Sequence, residues 1–513
     1  MSQLSTPTAA TPTWRLRNAA FWDGVRHQYD KRDIDAWDDS VPYEVTNNPD
    51  FAERCAQGVL HYVISCQADG FQGQFTVLEP GAGLGQFCYL FISKLHALMN
   101  IAGVDPSCLT YILCDQSEQT RDFWSEQPQL QFYLKREYIK IEPFTLDSHQ
   151  GFAKVTSAID DYDLRNNRVI LLANYFFDSL LQQPYRLIDG VYVPHEIGKP
   201  RSQINKKLTS LSFKPANTAC DDSICGVSQR ILDEFAERGI EYVLMPEGAM
   251  AVIQWLDQLS DHPALIICHD KGFSDLSQNA YNATYHIIKT GQYASCVNFQ
   301  ALGRYTELAL HGSCMLPSPY DSGFTCAVFH TKVRHEALAG FRVGLEYLVQ
   351  SGHSFVRMYS QRYLSRYELA EDLTGLFAVL RELRFSLHAL VEQKDFLIEK
   401  LRQADCLDHI DIDGALDAFW QHYYFTPHRK SQTQLIALLE VALHAKRYVY
   451  VEDKLADYAS WHGKDYAFKK ISGDLYFIQS DFASAAYYFT EAMNDNPDCD
   501  HCKQYLTHCE SLL

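Results

Sequence analysis

A run of small residues between an apolar strand and a helix, Val77-Leu-Glu79-Pro80-Gly81-Ala-Gly83-Leu-Gly85-Gln86, restricts what this chain can build more than any other stretch. Phe75-Thr-Val-Leu78 reads as a buried strand and Gln86 to Met99 as a helix. Glycines at alternate positions permit positive φ and let a ligand lie against bare main chain. The first amides of the helix favour an anionic group. Leu109–Cys114, Arg168–Asn174 and Ala264–Cys268 read as further strands, separated by helical segments. Apolar strands alternating with helices imply a parallel sheet covered on both faces. Leu308–Leu316 and Gly323–His330 read as two more strands, a hairpin turning at Pro317-Ser-Pro-Tyr-Asp-Ser and closing the sheet. The expected fold is α/β, a Rossmann-like sheet with helices on both faces. After about residue 335 strand signals stop, and an all-α region is expected.

The spacing of the glycines narrows the ligand. A dinucleotide turn reads G-x-G-x-x-G, whereas this one is G-x-G-x-G behind an acid, and no Gly-Lys-Ser/Thr follows to make a phosphate loop. Glu79 would repel a pyrophosphate and suits a cation. That is the form expected for S-adenosylmethionine, with Glu79, Gly81, Gly83 and Gly85 as its contacts. Asp115, directly after the second strand, can accept both ribose hydroxyls or cap the helix that follows. The third element is Ala173-Asn174-Tyr-Phe-Phe-Asp178-Ser-Leu180, after the strand expected beside the first, where open α/β sheets bind ligands. Asn174 can offer its carbonyl to a substrate N–H and Asp178 can hold a cation. Tyr175 and Phe177 can wall a substrate chamber, or the aromatics can be core. His195, in Val193-Pro-His-Glu-Ile197, is either a further substrate contact or a structural histidine.

Five stretches in order resemble the MidA-like family of S-adenosylmethionine-dependent methyltransferases, which includes a mitochondrial complex I assembly factor that methylates an arginine. They are Tyr43-Glu-Val-Thr-Asn-Asn-Pro-Asp-Phe51, Leu78-Glu-Pro-Gly-Ala-Gly-Leu-Gly85, Ala173–Leu180, His269-Asp270-Lys-Gly272 and Ser295-Cys-Val-Asn-Phe-Gln-Ala-Leu302. The resemblance spans roughly residues 40 to 330. It implies Glu79, the three glycines and Asp115 at the cofactor, and Asn174, Asp178 and Asp270 as catalytic candidates at the acceptor end. It also implies methylation of nitrogen on a protein or peptide, with arginine the first candidate. Three positions depart from the family pattern: a Glu is Tyr175 here, a Tyr is Lys271, and an Asp is Asn298. The departures leave two other readings open, a cofactor-binding assembly factor or scaffold with dulled catalysis and a small-molecule methyltransferase.

Composition bounds the rest. With 47% hydrophobic and 21% charged residues the chain is globular. A formal charge of −19 without a basic stripe argues against nucleic acid as a partner. No window is apolar enough to span a membrane. Fifteen cysteines without a spacing framework suit a reducing, cytoplasmic setting. The expected domains are a disordered start at 1–13, a methyltransferase domain at 14–335 with a polar lid or insert at 196–241, a helical region at 336–430, and tetratricopeptide-like repeats at 431–513. Residues 14 to 70 read as mostly helical. Gly473, Tyr476, Ala485, Phe489, Ala492 and Pro497 fall at the offsets of one tetratricopeptide unit. Such helices suit docking of a protein or peptide substrate, or packing in a homodimer. Cys499, Cys502 and Cys509 recur at helical spacing, so buried thiols are expected there and no metal.

Overall fold

The computed structural model describes residues 18, 21–22, 45–149, 152–198, 211–216, 226–276, 285, 287–290, 292–317, 324–332, 339–351, 373–404 and 410–513. The expected disordered start at 1–13 lies outside them. The chain divides into two compact units, Met1–Asn47 with Phe51–Val356, and Arg357–Leu513 with Asn48–Asp50. No helix among the described residues is long and apolar enough to cross a membrane.

In the first unit the strands are β1 (Phe75–Pro80), β2 (Leu109–Asp115), β3 (Ile139–His149), β4 (Phe152–Ser157), β5 (Arg168–Asn174), β6 (Gln183–Ile188), β7 (Val191–Gly198), β8 (Ser212–Pro215), β9 (Tyr242–Met245), β10 (Leu265–Phe273), β11 (Ile287–Thr290), β12 (Gln292–Ser295), β13 (Val297–Asn298), β14 (Ser313–Met315) and β15 (Phe324–His330). Its helices include α1 (Pro49–Ala68), α2 (Gln86–Ala102), α3 (Glu118–Glu126), α4 (Gly226–Glu237), α5 (Glu247–Leu259), α6 (Phe299–Ala309) and α7 (Ala339–Ser351).

The main sheet runs β14-β15-β10-β5-β1-β2-β3-β4, with β13 attached to β10. From β3 to β10 its neighbours pair in parallel, and β15 lies antiparallel between β10 and β14. This is the Rossmann-like order expected of a class I methyltransferase sheet. All six residues of β1 are buried, as a central parallel strand covered on both faces requires. The chain leaves β1 toward β2 and β3 on one side, and continues through β5 and β10 on the other. The order therefore reverses between β1 and β5, and their carboxyl ends part to leave a crevice.

Several expectations change. Leu308 and Ala309 belong to the end of α6 and not to a strand, and β14 is confined to Ser313–Met315. The helix is set by Asn298, whose Oδ1 accepts from the Ala301 amide at 2.9 Å. Residues 196–241 are not one polar excursion. Glu196–Gly198 ends β7, β8 pairs with it, α4 follows, and the remainder lies outside the described residues. These strands form a second antiparallel sheet, β8-β7-β6-β9. Of the stretch 14–70, the described part holds α1 and the buried anchors Asn18 and Trp22. The first unit also runs past 335. A Cβ on Gly58 of α1 would stand 3.2 Å from Leu348 of α7, so glycine lets these helices meet and keeps α7 with the sheet.

The second unit is helical throughout its described residues: α8 (Leu373–Glu382), α9 (Leu387–Gln403), α10 (Ile412–Gln421), α11 (Arg429–His444), α12 (Tyr448–His462), α13 (Tyr466–Ile478), α14 (Phe482–Asp495) and α15 (Asp500–Leu512). Its core includes Leu390, Leu435, Leu438, Tyr458 and Leu475. Gly473 faces Phe489, where an added Cβ would stand 2.7 Å from the ring. Ala485, Phe489, Ala492, Cys502 and Cys509 form a fully buried cluster in the last hairpin.

Candidate functional site

The turn after β1 is built by its glycines. Gly81, Gly83 and Gly85 have φ of 67°, 56° and 75°, a left-handed conformation that costs side-chain-bearing residues about 1–2 kcal/mol each. Gly85 ends the turn as the residue before α2, so the helix starts at the crevice. Neighbours hold the loop from outside. The Gly81 amide donates to Cys114 O of β2 at 2.8 Å, and Trp124 Nε1 donates to Gly83 O at 3.0 Å. The cleft over this turn is lined by Glu79, Gly81, Gly83, Asn174 and Tyr175, and by Thr46 and Asn47 from the first of the five family-like stretches.

Glu79 is buried at the end of β1, and the Tyr111 hydroxyl donates to its Oε2 at 2.7 Å. Burial lifts its carboxyl to about 8, against the smaller opposing pull of Tyr111. A carboxyl in that state is poised to ionise when a cation arrives. Asp115 sits at the end of β2, next to the turn. Its Oδ1 accepts from the Ser117 amide at 2.9 Å, and it is Ser117, not Asp115, that caps α3. Asp115 does not line the cleft itself.

At the ends of β5 and β10, Asn174 Oδ1 lies 3.1 Å from His269 Nδ1. His269 is fully buried, and burial, aided by Arg54, lowers it to about 3, so the ring is neutral. An amide oxygen only accepts, so Nδ1 carries the hydrogen. Among the described residues, Asn174 Nδ2, on the cleft, and His269 Nε2 are then buried without a hydrogen-bond partner. A buried orphan of this kind costs about 1–3 kcal/mol, which a ligand's acceptor would recover for Asn174. Tyr175 follows with φ of 49°, a strained non-glycine conformation of the type that gathers at functional sites. Its amide donates to His269 O at 2.9 Å.

Behind Tyr175 lies a carboxyl pair. Asp270 Oδ2 accepts from the Asp178 amide at 3.0 Å, and its Oδ1 accepts from the Lys271 amide at 2.8 Å. Lys271 Nζ stands 3.7 Å from Asp178 Oδ2 and 5.3 Å from the Tyr175 ring centre. Burial raises both carboxyls; Asp270 is pushed further up by the charge of Asp178, while Lys271 draws Asp178 back down. Asp270 is raised the further of the two and so holds its proton the more tightly.

Asn174, Tyr175, Asp178 and Asp270 thus come together, and two expected residues do not join them. Phe177 is fully buried in the hydrophobic core, and Phe176, the neighbour that a Cβ on Gly81 would meet at 3.3 Å, backs the turn instead. His195 sits on the second sheet, with Nδ1 3.0 Å from Val193 O and its backbone oxygen accepting from Asn18 and Gln183. Residue patterns do not single out Tyr111 and Trp124, which reach the turn from neighbouring elements, or His269, which the structure places inside β10.

No protein-family model and no curated relative matches the chain. Solved structures do. One is a COG1565 superfamily member from Burkholderia thailandensis, its activity inferred as a methyl transferase, bound to S-adenosyl-homocysteine. The match is 16% identical, covers 50% of this chain and 60% of that one, and has a TM-score of 0.33. The chain thus spans less than two thirds of that structure's length. Another is an uncharacterized COG1565 superfamily protein from the same organism, 14% identical, covering 56% of this chain and 74% of that one, with a TM-score of 0.32.

Proposed function

We propose that the chain binds S-adenosylmethionine over the β1–α2 turn and transfers its methyl group to a nitrogen on a protein or peptide. The observation that carries this reading is the buried Glu79 beside three left-handed glycines, facing the orphaned Asn174 Nδ2 across a crevice at the reversal point of the sheet. These residues fit the cofactor. Glu79 would take its cationic end, the bare backbone at 81–85 would lie flush against it, and Asn174 Nδ2 would find an acceptor. Asp115 would serve the ribose after a turn of its side chain away from Ser117. The bound sulfonium supplies an activated methyl, so the protein's task is to align the acceptor and exclude water.

Arginine loses ground as the acceptor. Asp178 would be the natural partner for a guanidinium, and Lys271 already pairs with it. An acceptor nitrogen that enters uncharged has no such competitor. The same pairing favours one alternative, a cofactor-binding assembly factor with little turnover, because Asp270 holds a proton and Asp178 is engaged, so neither is a free base. Calorimetry with S-adenosylhomocysteine tests the cofactor, and tritiated-methyl transfer into basic proteins with an Asp178→Asn control tests the chemistry. Binding with incorporation that the control loses supports the enzyme. Binding without incorporation supports the assembly factor, and no heat of association removes both.

A further inference from the structure

Methyl transfer makes no use of two thiols at the far end of the chain. Cys499-Asp-His-Cys502 straddles the start of α15. Cys499 caps this helix, and its Sγ accepts from the Cys502 amide at 3.3 Å. The Tyr466 hydroxyl, at the start of α13, donates to the same sulfur at 2.9 Å. Burial pushes the Cys499 thiol up, but Tyr466 and the amides of Cys502 and His501 outweigh it and bring the thiol below its ordinary range. Cys502 is fully buried, and burial together with its hydrogen bond to Cys499 pushes it up to about 12. One residue is thus a partly exposed, donor-stabilised sulfur, and the other is a protonated thiol within its reach. Core thiols such as Cys88, Cys114, Cys268 and Cys326 are instead all raised by burial and inert. Nucleophilic cysteines arise where helix-start amides and hydroxyl donors stabilise a thiolate.

We propose that Cys499 and Cys502 form a dithiol site that exchanges with low-molecular-weight disulfides, with Cys499 the attacking and Cys502 the resolving residue. The Cys499 thiolate attacks one sulfur of RSSR; that S–S bond breaks and RS⁻ leaves, taking up a proton as RSH. Cys502 then gives up its proton and attacks Cys499 Sγ, breaking the mixed disulfide and releasing the second RSH. The disulfide reagent is reduced by two electrons and the protein oxidised by two. Oxidation also removes the anionic acceptor shared by Tyr466 and the Cys502 amide, so the redox state is read by the packing of α15 on α13.

The test uses the full-length reduced protein and oxidised glutathione, followed by alkylation and peptide mass mapping. The expected product is an internal disulfide on the peptide holding 499–502. Cys502→Ser should stop at a glutathione adduct on Cys499. Cys499→Ser, which retains a capping side chain, should abolish reaction there. Tyr466→Phe should slow the first step several-fold at neutral pH. A peptide left unmodified under conditions that oxidise an ordinary exposed thiol would overturn the proposal. So would an adduct in the native chain that Cys502 never resolves, or a rate indifferent to Tyr466.

Discussion

Glu79 is held nearly dry by its own strand and by β2, and its side-chain partner among the described residues is the Tyr111 hydroxyl. Glutamine at this position keeps an oxygen for Tyr111 but cannot take up a charge. Since the free carboxyl sits at about 8, it is mostly protonated at pH 6. A cationic ligand demands the ionised form, so the native protein should bind S-adenosylmethionine more tightly as pH rises from 6 to 8, by up to about tenfold per unit. Glu79→Gln should bind it more weakly at pH 8 and lose that slope; comparing the two proteins cancels the titration of the ligand's own amine. Stability runs the other way. A pKa raised on folding contributes stability that is complete below the unfolded value near 4.5 and lost as pH climbs through about 8. Glu79→Gln should therefore melt above the native apo-protein at pH 9, and a thermal scan at pH 6 and 9 checks it. Asn174→Ala makes a different prediction, because it strands the Nδ1 hydrogen of His269 in the interior. A cost of about 1–3 kcal/mol is expected in denaturant unfolding. Glu79, the glycines and Asn174 were legible in the sequence because their chemistry lies in residue type and local spacing. Tyr111 and His269 were not, since what brings them to Glu79 and Asn174 is the strand they face. For Phe177 and His195 the sequence left two readings open, because no local pattern says which way a side chain points after an irregular turn or on an unforeseen second sheet.

At the scale of elements, the β1–α2 turn works because three residues adopt a conformation closed to the others. Alanine at Gly83 or Gly85 should cost roughly 1–2 kcal/mol in folding and weaken S-adenosylhomocysteine binding well beyond that loss if the ligand lies flush on this main chain. Equal small losses in both measurements would mean the turn is only structural. Helix α6 offers the converse case. Asn298 departs from the acid of the family pattern, yet its work is to cap α6 through the Ala301 amide. Asn and Asp cap equally well, but the buried Asn298 Nδ2 also donates to Leu244 O at 3.3 Å, so Asn298→Asp should cost about 1–3 kcal/mol in stability and leave methyl transfer where it was. A gain in turnover would show that the departure had dulled the site. Strands β1, β2, β5 and β10 were readable as continuous apolar runs, and so was the hairpin at the sheet edge; β3 was not, because its start, Ile139-Lys-Ile-Glu, alternates with charged residues. The end of α6 was mistaken for strand because Leu308 and Leu310 alternate as strand residues do, and the asparagine that starts the helix lies ten residues earlier. The short strands of the second sheet escaped for want of length.

For the molecule as a whole, two hydrophobic cores matter, one wrapped around the large sheet and one threading the helices after Leu373. Gly473 gives a clean way to ask whether function follows that division. Alanine there drives a methyl carbon to 2.7 Å from Phe489 in a hairpin whose neighbours, Ala485 and Ala492, are fully buried and leave the ring nowhere to go. Overpacking of this kind costs about 1–3 kcal/mol. Gly473→Ala should lower the unfolding transition followed by helical circular dichroism, while calorimetry with S-adenosylhomocysteine returns the native affinity. If methyl transfer to a protein acceptor falls while cofactor affinity holds, the helical unit is where the acceptor docks. If cofactor affinity falls in step with stability, the crevice at β1 and β5 depends on the helices for its shape, and the two cores form one cooperative body.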